Sequence, residues 1–364
     1  MKTYRNLYEN FISEDNIRLS IHNSALGKKK RCKVMEIVGD VEGSIPLIED
    51  YATHFRNKRH KPKQIYDGIV RKVRYIIVPS YKEQIVHHMI VNALMPMFTK
   101  GMYEHSYGSI PGRGVHRGKK TIEKWIRKGG RNIKYCMKLD IRKYFDSVPH
   151  DILKRKLSAK VKDEQLLKVL FEIIDVVPED LPLGFYTSQW LANWYLQDLD
   201  HYIKEDLRAV YYIRYMDDMV IFGSNKKKLH AMKNAIADYL ATLGLELKSN
   251  WQIFRFDHDG KGRDLDFMGF RFFRNKTILR RSIMLRACRK ARKIYKKSIL
   301  SKVTVYDCMQ MLSYLGWIKA TKVYRMYEER IKPYVDFGKC KKRISKYQRR
   351  MNRWNGTDQA TATV

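Results

Sequence analysis

A chain of 364 residues with 73 Lys+Arg against 38 Asp+Glu carries a formal charge of +35, and it is long enough to bury a sizeable core in one multilobed domain or two to three smaller ones. The excess lies in separate clusters, Gly27 to Arg31, Arg56 to Lys61 and Lys339 to Arg343, interleaved with 12% aromatic residues, a pattern that fits nucleic acid better than a membrane surface. Scattered cysteines (Cys32, Cys136, Cys288, Cys308, Cys340) without a CxxC pair argue against a disulfide framework or zinc site, and with no signal-peptide core or membrane-length apolar run the expectation is a soluble cytoplasmic protein.

In chain order, residues 1 to about 65 read as basic, mixed sequence with short helices. Arg71 to Pro79 reads as a strand stopped by proline. Tyr81 to Met97 has helical spacing, with Ile85, Val86, Met89 and Ile90 on one apolar face. Ser106 to Gly118, with four glycines and Pro111, is expected to be a loop. A helix over Lys119 to Lys128 should end at Gly129-Gly130. Tyr135 to Asp140 is a strand with an acid at its end. His150 to Val177 holds one or two amphipathic helices, and Ser188 to Leu207 reads as one helix. Lys226 to Leu243 is a helix stopped by Gly244, Phe267 to Phe273 a further strand or hairpin, and Leu285 to Arg353 helical and very basic. Gly356 to Val364 is expected to be a disordered tail. No internal repeat or Pro-rich linker is evident. The fold class is α+β with a helical C-terminal lobe.

The chemistry centres on Ile213-Arg214-Tyr215-Met216-Asp217-Asp218-Met219-Val220-Ile221-Phe222. Two adjacent carboxylates repel each other, and apolar flanks on both sides read as buried strands, so the acids belong at the tip of a reversal where a divalent cation could offset their charge. Asp140 is a second acidic strand end. If these acids meet, they supply the hard oxygen ligands that a pair of Mg²⁺ ions needs for nucleotidyl transfer. Taken separately, the pair also fits a solvated turn, and Asp140 also fits a helix N-cap before Ile141 to Phe145.

Their order and context resemble reverse transcriptases over roughly residues 70 to 335. Arg71 to Pro79 and the Tyr81 helix resemble the family's first block, whose basic residues, here Arg71 and Arg74, lie over the incoming triphosphate. Ser106 to Gly114, with Arg113, resembles a fingers loop near the template. Lys138 to Phe145 resembles motif A, which makes Asp140 a metal ligand, the Ile141 carbonyl a second one, and Phe145 the aromatic gate beneath the nucleotide sugar. Leu181 to Gln189 resembles motif B, with Leu183, Gly184 and Gln189 near the nascent base pair. Tyr215 to Asp218 is then motif C: Asp217 and Asp218 complete the catalytic acids, and Tyr215 and Met216 lie by the primer. Gly244 to Leu247 opens motif D; the usual lysine position there is Trp251, and the nearest basic residue is Lys248. Met268 and Gly269 resemble the primer-gripping hairpin, and Lys322 and Arg325 belong to a basic helical thumb that tracks the template–primer duplex.

The resemblance implies a right-hand polymerase: an N-terminal extension and fingers over 1–135, a palm of antiparallel sheet and helices over 136–275, a basic helical thumb over 276–353 and a disordered tail over 354–364. It implies RNA-directed DNA synthesis with two Mg²⁺ ions, or Mn²⁺ in their place, on an RNA template with a DNA or cDNA primer and dNTPs. No endonuclease, maturase-specific or RNase H module is expected after the thumb. Leu183 before Gly184 and Ser188-Gln189 after it, where most intron-encoded and retroviral enzymes have Gln and Ser-Pro, resemble diversity-generating retroelements, bacterial or phage-encoded. In those systems the enzyme copies a dedicated template-repeat RNA with errors opposite adenine, with a small basic accessory protein as a partner. The alternatives are antiphage defence, a group II intron-like element, and an inactive RNA-binding scaffold.

Overall fold

The long helix Tyr81–Thr99 begins at a capping box, in which the Ser80 side chain accepts from the Glu83 N–H and the Glu83 carboxylate accepts from the Ser80 N–H. Its expected apolar face is real: Ile85, Val86, Met89 and Ile90 are fully buried. This is a computed structural model describing residues 3–28, 31–56, 58, 60–67, 72–178, 180–257 and 261–361, with side chains described to residue 350 except at 67 and 72. Among the described residues no helix is long and apolar enough to cross a membrane.

The chain divides into two units, Met1–Gly114 with Lys134–Ile253, and Val115–Ile133 with Phe254–Val364. These borders differ from the expected divisions after residues 135 and 275. In the first unit, helices Leu7–Ile12, Glu14–Ala25 and Val41–Thr53 pack against the Tyr81–Thr99 helix, and Cys32–Gly39 packs against Glu14–Ala25 and Val41–Thr53. The expected short helices therefore reach Thr53. They are followed by a strand, Lys63–Asp67, which pairs antiparallel with Lys72–Ile76.

The unit's sheet has Ser106–Tyr107 parallel to Tyr211–Tyr215, which is antiparallel to Asp218–Gly223, which is antiparallel to Tyr135–Asp140. Met219, Val220, Ile221 and Phe222 are all buried, as their unbroken apolar run requires. The pairing of Ser106–Tyr107 corrects the loop expected from residue 106, because a two-residue strand leaves no periodic signal in the sequence. The single helix expected over Ser188 to Leu207 is two, Tyr186–Tyr195 and Gln197–Glu205, parted at Leu196. No Gly or Pro announces that break.

In the second unit, helix Val115–Lys128 starts before the expected Lys119, since a glycine such as Gly118 weakens a helix by about 1 kcal/mol without ending it. Strands Leu265–Phe267, Phe270–Phe272 and Thr277–Leu279 form an antiparallel meander. Phe270 and His116 pack on Trp317, with ring centroids 5.0 and 5.3 Å away. Helices Arg281–Ile299, Val305–Lys319, Tyr324–Arg330 and Phe337–Thr361 follow. The last helix runs through Gly356 to Thr361, where a disordered tail was expected, and again one glycine does not stop it.

Candidate active site

Strand register brings the acids together. Asp140 lies directly opposite Asp218 across the antiparallel pair, and Tyr215 opposite Asp218 closes a two-residue turn over Met216-Asp217. Directly opposed residues share a face with their Cβ atoms about 5 Å apart. Asp217 feels both neighbours: burial first, then the charges of Asp218 and Asp140, push its carboxyl up to about 6, against a smaller opposing pull from Lys248.

Asp140 carries the remaining detail. Its Oδ2 pairs with the Lys248 ammonium, and its backbone oxygen accepts from the Lys248 N–H at 2.8 Å. One residue on, buried Ile141 bridges Leu247, and the Arg142 N–H donates to the Glu246 carbonyl at 2.8 Å. The segment expected to be motif D thus lies alongside the one expected to be motif A. Asp140 Oδ1 is buried with no hydrogen-bond partner among the described residues. A buried unpaired carboxylate oxygen, beside an acid that its neighbours make hard to ionise, is an arrangement that a divalent cation would relieve. No three His, Cys, Asp or Glu side chains among the described residues already converge as ligands, and Asp140 is turned to Lys248. In kind, hard carboxylate oxygens, the donors fit Mg²⁺.

The loop read as motif B is tied beside motif A. The Leu181 N–H donates to the Phe145 carbonyl at 2.9 Å, and the Ile77 N–H to the Leu183 carbonyl at 2.8 Å. Gly184 takes φ 110°, and a Cβ there would strike the Ile77 carbonyl oxygen, so only glycine lets the strand pass so close. Gln189 is exposed on the Tyr186–Tyr195 helix, while Phe145 is half-buried and packs on the core. Beneath the loop, His87 Nδ1 lies 2.9 Å from Thr187 Oγ1, and burial, then the charges of His88 and His60, hold the imidazole down at about 3.

Arg74 stands exposed on the Lys72–Ile76 strand; Arg71 lies outside the described residues. Arg113, expected to face the template, donates from Nη1 to the Tyr103 carbonyl at 2.7 Å and so braces its own loop. Met268, Gly269, Lys322 and Arg325 belong to the second unit. There Met268-Gly269 forms a hairpin turn, and Arg325 pairs with Glu329 at 2.7 Å.

A family model for reverse transcriptase (RNA-dependent DNA polymerase) matches residues 59–272, more than half of the chain. The chain belongs to that family. Among its curated relatives, Protein YkfC of Escherichia coli (strain K12) is 24% identical over 249 residues, 57% of this chain and 65% of that protein. The Retron Ec73 reverse transcriptase of Escherichia coli is 21% identical over 61% of this chain and 72% of its own length. The group II intron-encoded protein LtrA of Lactococcus lactis is 23% identical over 37% of this chain but 24% of its own. A telomerase from Candida tropicalis, solved with a TWJ fragment of telomeric RNA, has a TM-score of 0.50 at 12% identity, covering 81% of this chain and 59% of that one. That likeness is one of fold, the α+β right-hand polymerase fold of reverse transcriptases.

Arg214, Asp200 and Asn193 lie outside the roles that the reverse transcriptase resemblance implies. Arg214 and Asp200 are each 1% exposed at the side chain and pair at 2.5 Å directly behind the acidic turn. A signal was present: an arginine inside the apolar strand Tyr211–Tyr215 is rarely buried unless paired.

Proposed function

We propose that this chain is an RNA-directed DNA polymerase, extending a DNA or cDNA primer along an RNA template with dNTPs. One observation carries the reading: Asp140 stands opposite Asp218, with Asp217 in the adjoining turn. Asp140, Asp217 and the Ile141 carbonyl would hold the divalent ions, with Asp218 completing the acidic cluster. Two bound Mg²⁺ ions, or Mn²⁺, would activate the primer 3′-hydroxyl and stabilise departing pyrophosphate. Phe145 packs beneath the sugar and excludes a 2′-hydroxyl, with Leu183, Gly184 and Gln189 against the nascent pair. Lys248, which pairs with Asp140, is the nearest basic residue for the role of the motif D lysine, whose usual position is Trp251. The sheet unit supplies palm and fingers, and the basic helices from Arg281 onward the thumb. Replacing Asp217 and Asp218 with alanine should abolish metal-dependent extension of a primed RNA without unfolding the protein; continued extension refutes the assignment.

The finer reading is error-prone copying of a template-repeat RNA in a diversity-generating retroelement, with a small basic accessory protein. It is supported by Leu183 before Gly184 and by Ser188-Gln189. An apolar Leu183 offers contact but no hydrogen bond to constrain the incoming nucleotide, which loosens base-pair discrimination. Leu183→Gln should lower misincorporation opposite template adenine, and an unchanged error rate removes this rationale. The retron and intron-encoded relatives favour a second reading, the same chemistry in a defence or intron-like element. An adjacent template and variable repeat pair in the genome decides for diversification, and its absence for the second reading.

A further inference from the structure

We propose that Arg214, with Asp200 and Asn193, is a positioning device for the acidic turn: its buried guanidinium fixes the Met216 peptide and thereby the direction in which Asp217 presents its carboxylate. The inference rests on the reading of Asp140, Asp217 and Asp218 as metal-holding acids.

Tyr212 and Arg214, two residues apart, face the same side of their strand, toward helix Gln197–Glu205. Asp200 Oδ1 accepts from Tyr212 Oη at 2.6 Å and from Arg214 Nε at 2.8 Å, and Oδ2 accepts from Arg214 Nη2 at 2.5 Å. The remaining guanidinium donors go to Asn193 Oδ1 and the Asn193 carbonyl, both at 3.3 Å, and to the Met216 carbonyl at 3.0 Å. All five guanidinium N–H groups are thus engaged. Asn193 is anchored in turn, because its Nδ2 donates to the Gly108 carbonyl at 3.0 Å.

Met216 is what this network acts on. Its φ is 54°, left-handed backbone that a non-glycine residue keeps only when its surroundings hold it. Its N–H donates to the Tyr107 carbonyl at 3.1 Å and its C=O accepts from Arg214, so both peptide groups are tied to partners outside the turn. The next residue along the backbone is Asp217. A buried ion pair is weak evidence of stabilisation, since an apolar pair of similar volume often folds as well. The fork aimed at the Met216 carbonyl has no such substitute. Lysine could keep the charge pair with Asp200 but could not also span to Met216 and Asn193.

The test compares wild type with Arg214→Lys, with the charge-free double variant Arg214→Met/Asp200→Leu, and with Asp217→Asn as reference. Mn²⁺ binding is followed by the electron paramagnetic resonance of the free ion, the fold by thermal melting, and extension of a primed RNA over rising Mg²⁺. We expect folded Arg214→Lys to bind Mn²⁺ about ten- to a hundredfold more weakly, the range seen when supports of metal ligands are removed. Its extension should recover as Mg²⁺ is raised. The double variant keeps the readout available if the lysine variant does not fold, with the same expected loss. Wild-type Mn²⁺ affinity in either folded variant overturns the proposal, as does loss of binding only in step with loss of the fold. If the wild-type chain binds Mn²⁺ but extends no primer, the polymerase reading fails while the Mn²⁺ comparison still decides the positioning role. If it binds no Mn²⁺, both fall.

Discussion

Two hairpins in this protein share a turn and differ in how they hold it. Tyr215-Met216-Asp217-Asp218 and Phe267-Met268-Gly269-Phe270 both close over two residues, and both set their methionine left-handed, at φ 54° and 50°. In the second the next residue is Gly269 at φ 85°, so both turn positions have the positive φ that suits the twist of a tight hairpin. Its flanking Phe267 and Phe270 are fully buried, and a Cβ on Gly269 would come within 2.9 Å of Ile283 and 3.0 Å of Trp317. Turn chemistry and aromatic packing suffice there. The acidic hairpin has Asp217 where the other has glycine, and half-exposed residues on both flanks. Two residues before the methionine, the acidic hairpin has buried Arg214 and the other has Asp266, whose ion pair with Arg280 is 47% and 38% exposed. A turn that must carry carboxylates gives up its best turn residues and is held from behind by a buried fork.

The largest effect should come from the carboxylate itself. Asp217→Asn should reduce extension by about a thousandfold or more, the equivalent of several kcal/mol of metal-borne stabilisation. Its melting temperature should not fall, since burial and the neighbouring acids already oppose ionisation of Asp217. Met268→Asn should leave Mn²⁺ affinity unchanged, and equal losses in the two variants would break the contrast.

The supports come next. Arg214→Met alone strands buried Asp200 and should cost about 3–5 kcal/mol by urea denaturation, whereas Asp266→Ala, which removes a surface pair, should cost about 0–1 kcal/mol. Similar costs at the two positions would mean that the Arg214 pair is no more than a surface-like contact.

Acid should separate the two regions by a smaller margin. His87, in the unit with the acidic hairpin, is held down at about 3, so its neutral form favours the fold above the ordinary value near 6.5. That contribution is lost as pH falls below 6.5 toward 3, with about 1 kcal/mol gone between pH 6.5 and 5.5. In the other unit, burial raises the Asp307 carboxyl, but the ammonium groups of Lys290 at 2.6 Å and Lys297 at 2.7 Å outweigh it and hold the group low. Its contribution stays intact above the ordinary carboxylate value and is lost only as pH drops beneath it. His87→Gln should flatten the urea-midpoint profile between pH 6.5 and 5.5; an unchanged slope would show that another group titrates there.

Much of this was legible along the chain because its signals are local. Apolar runs on both sides of Asp217-Asp218 marked two strands, and strand geometry then made a turn unavoidable. Phe267 to Phe273 likewise announced a strand or hairpin, and the structure makes it a hairpin turning at Met268-Gly269. The break at Leu196 and the pairing of Ser106–Tyr107 with Arg214–Tyr215 were not legible, since neither is marked by the residues at the place where it occurs.

By itself the sequence determined the residue types of the site: acids at strand ends, an aromatic five positions after Asp140, a glycine after Leu183, and a cationic surface that suits nucleic acid. These follow from composition and short-range pattern, which any window of the chain displays. Only the tertiary structure decided that Asp140 faces Asp218, that Lys248 reaches Asp140, and that Arg214 turns inward to Asp200, Asn193 and the Met216 carbonyl. Register and burial create those contacts between elements far apart in sequence, and a charge acquires its role only from what it is buried against.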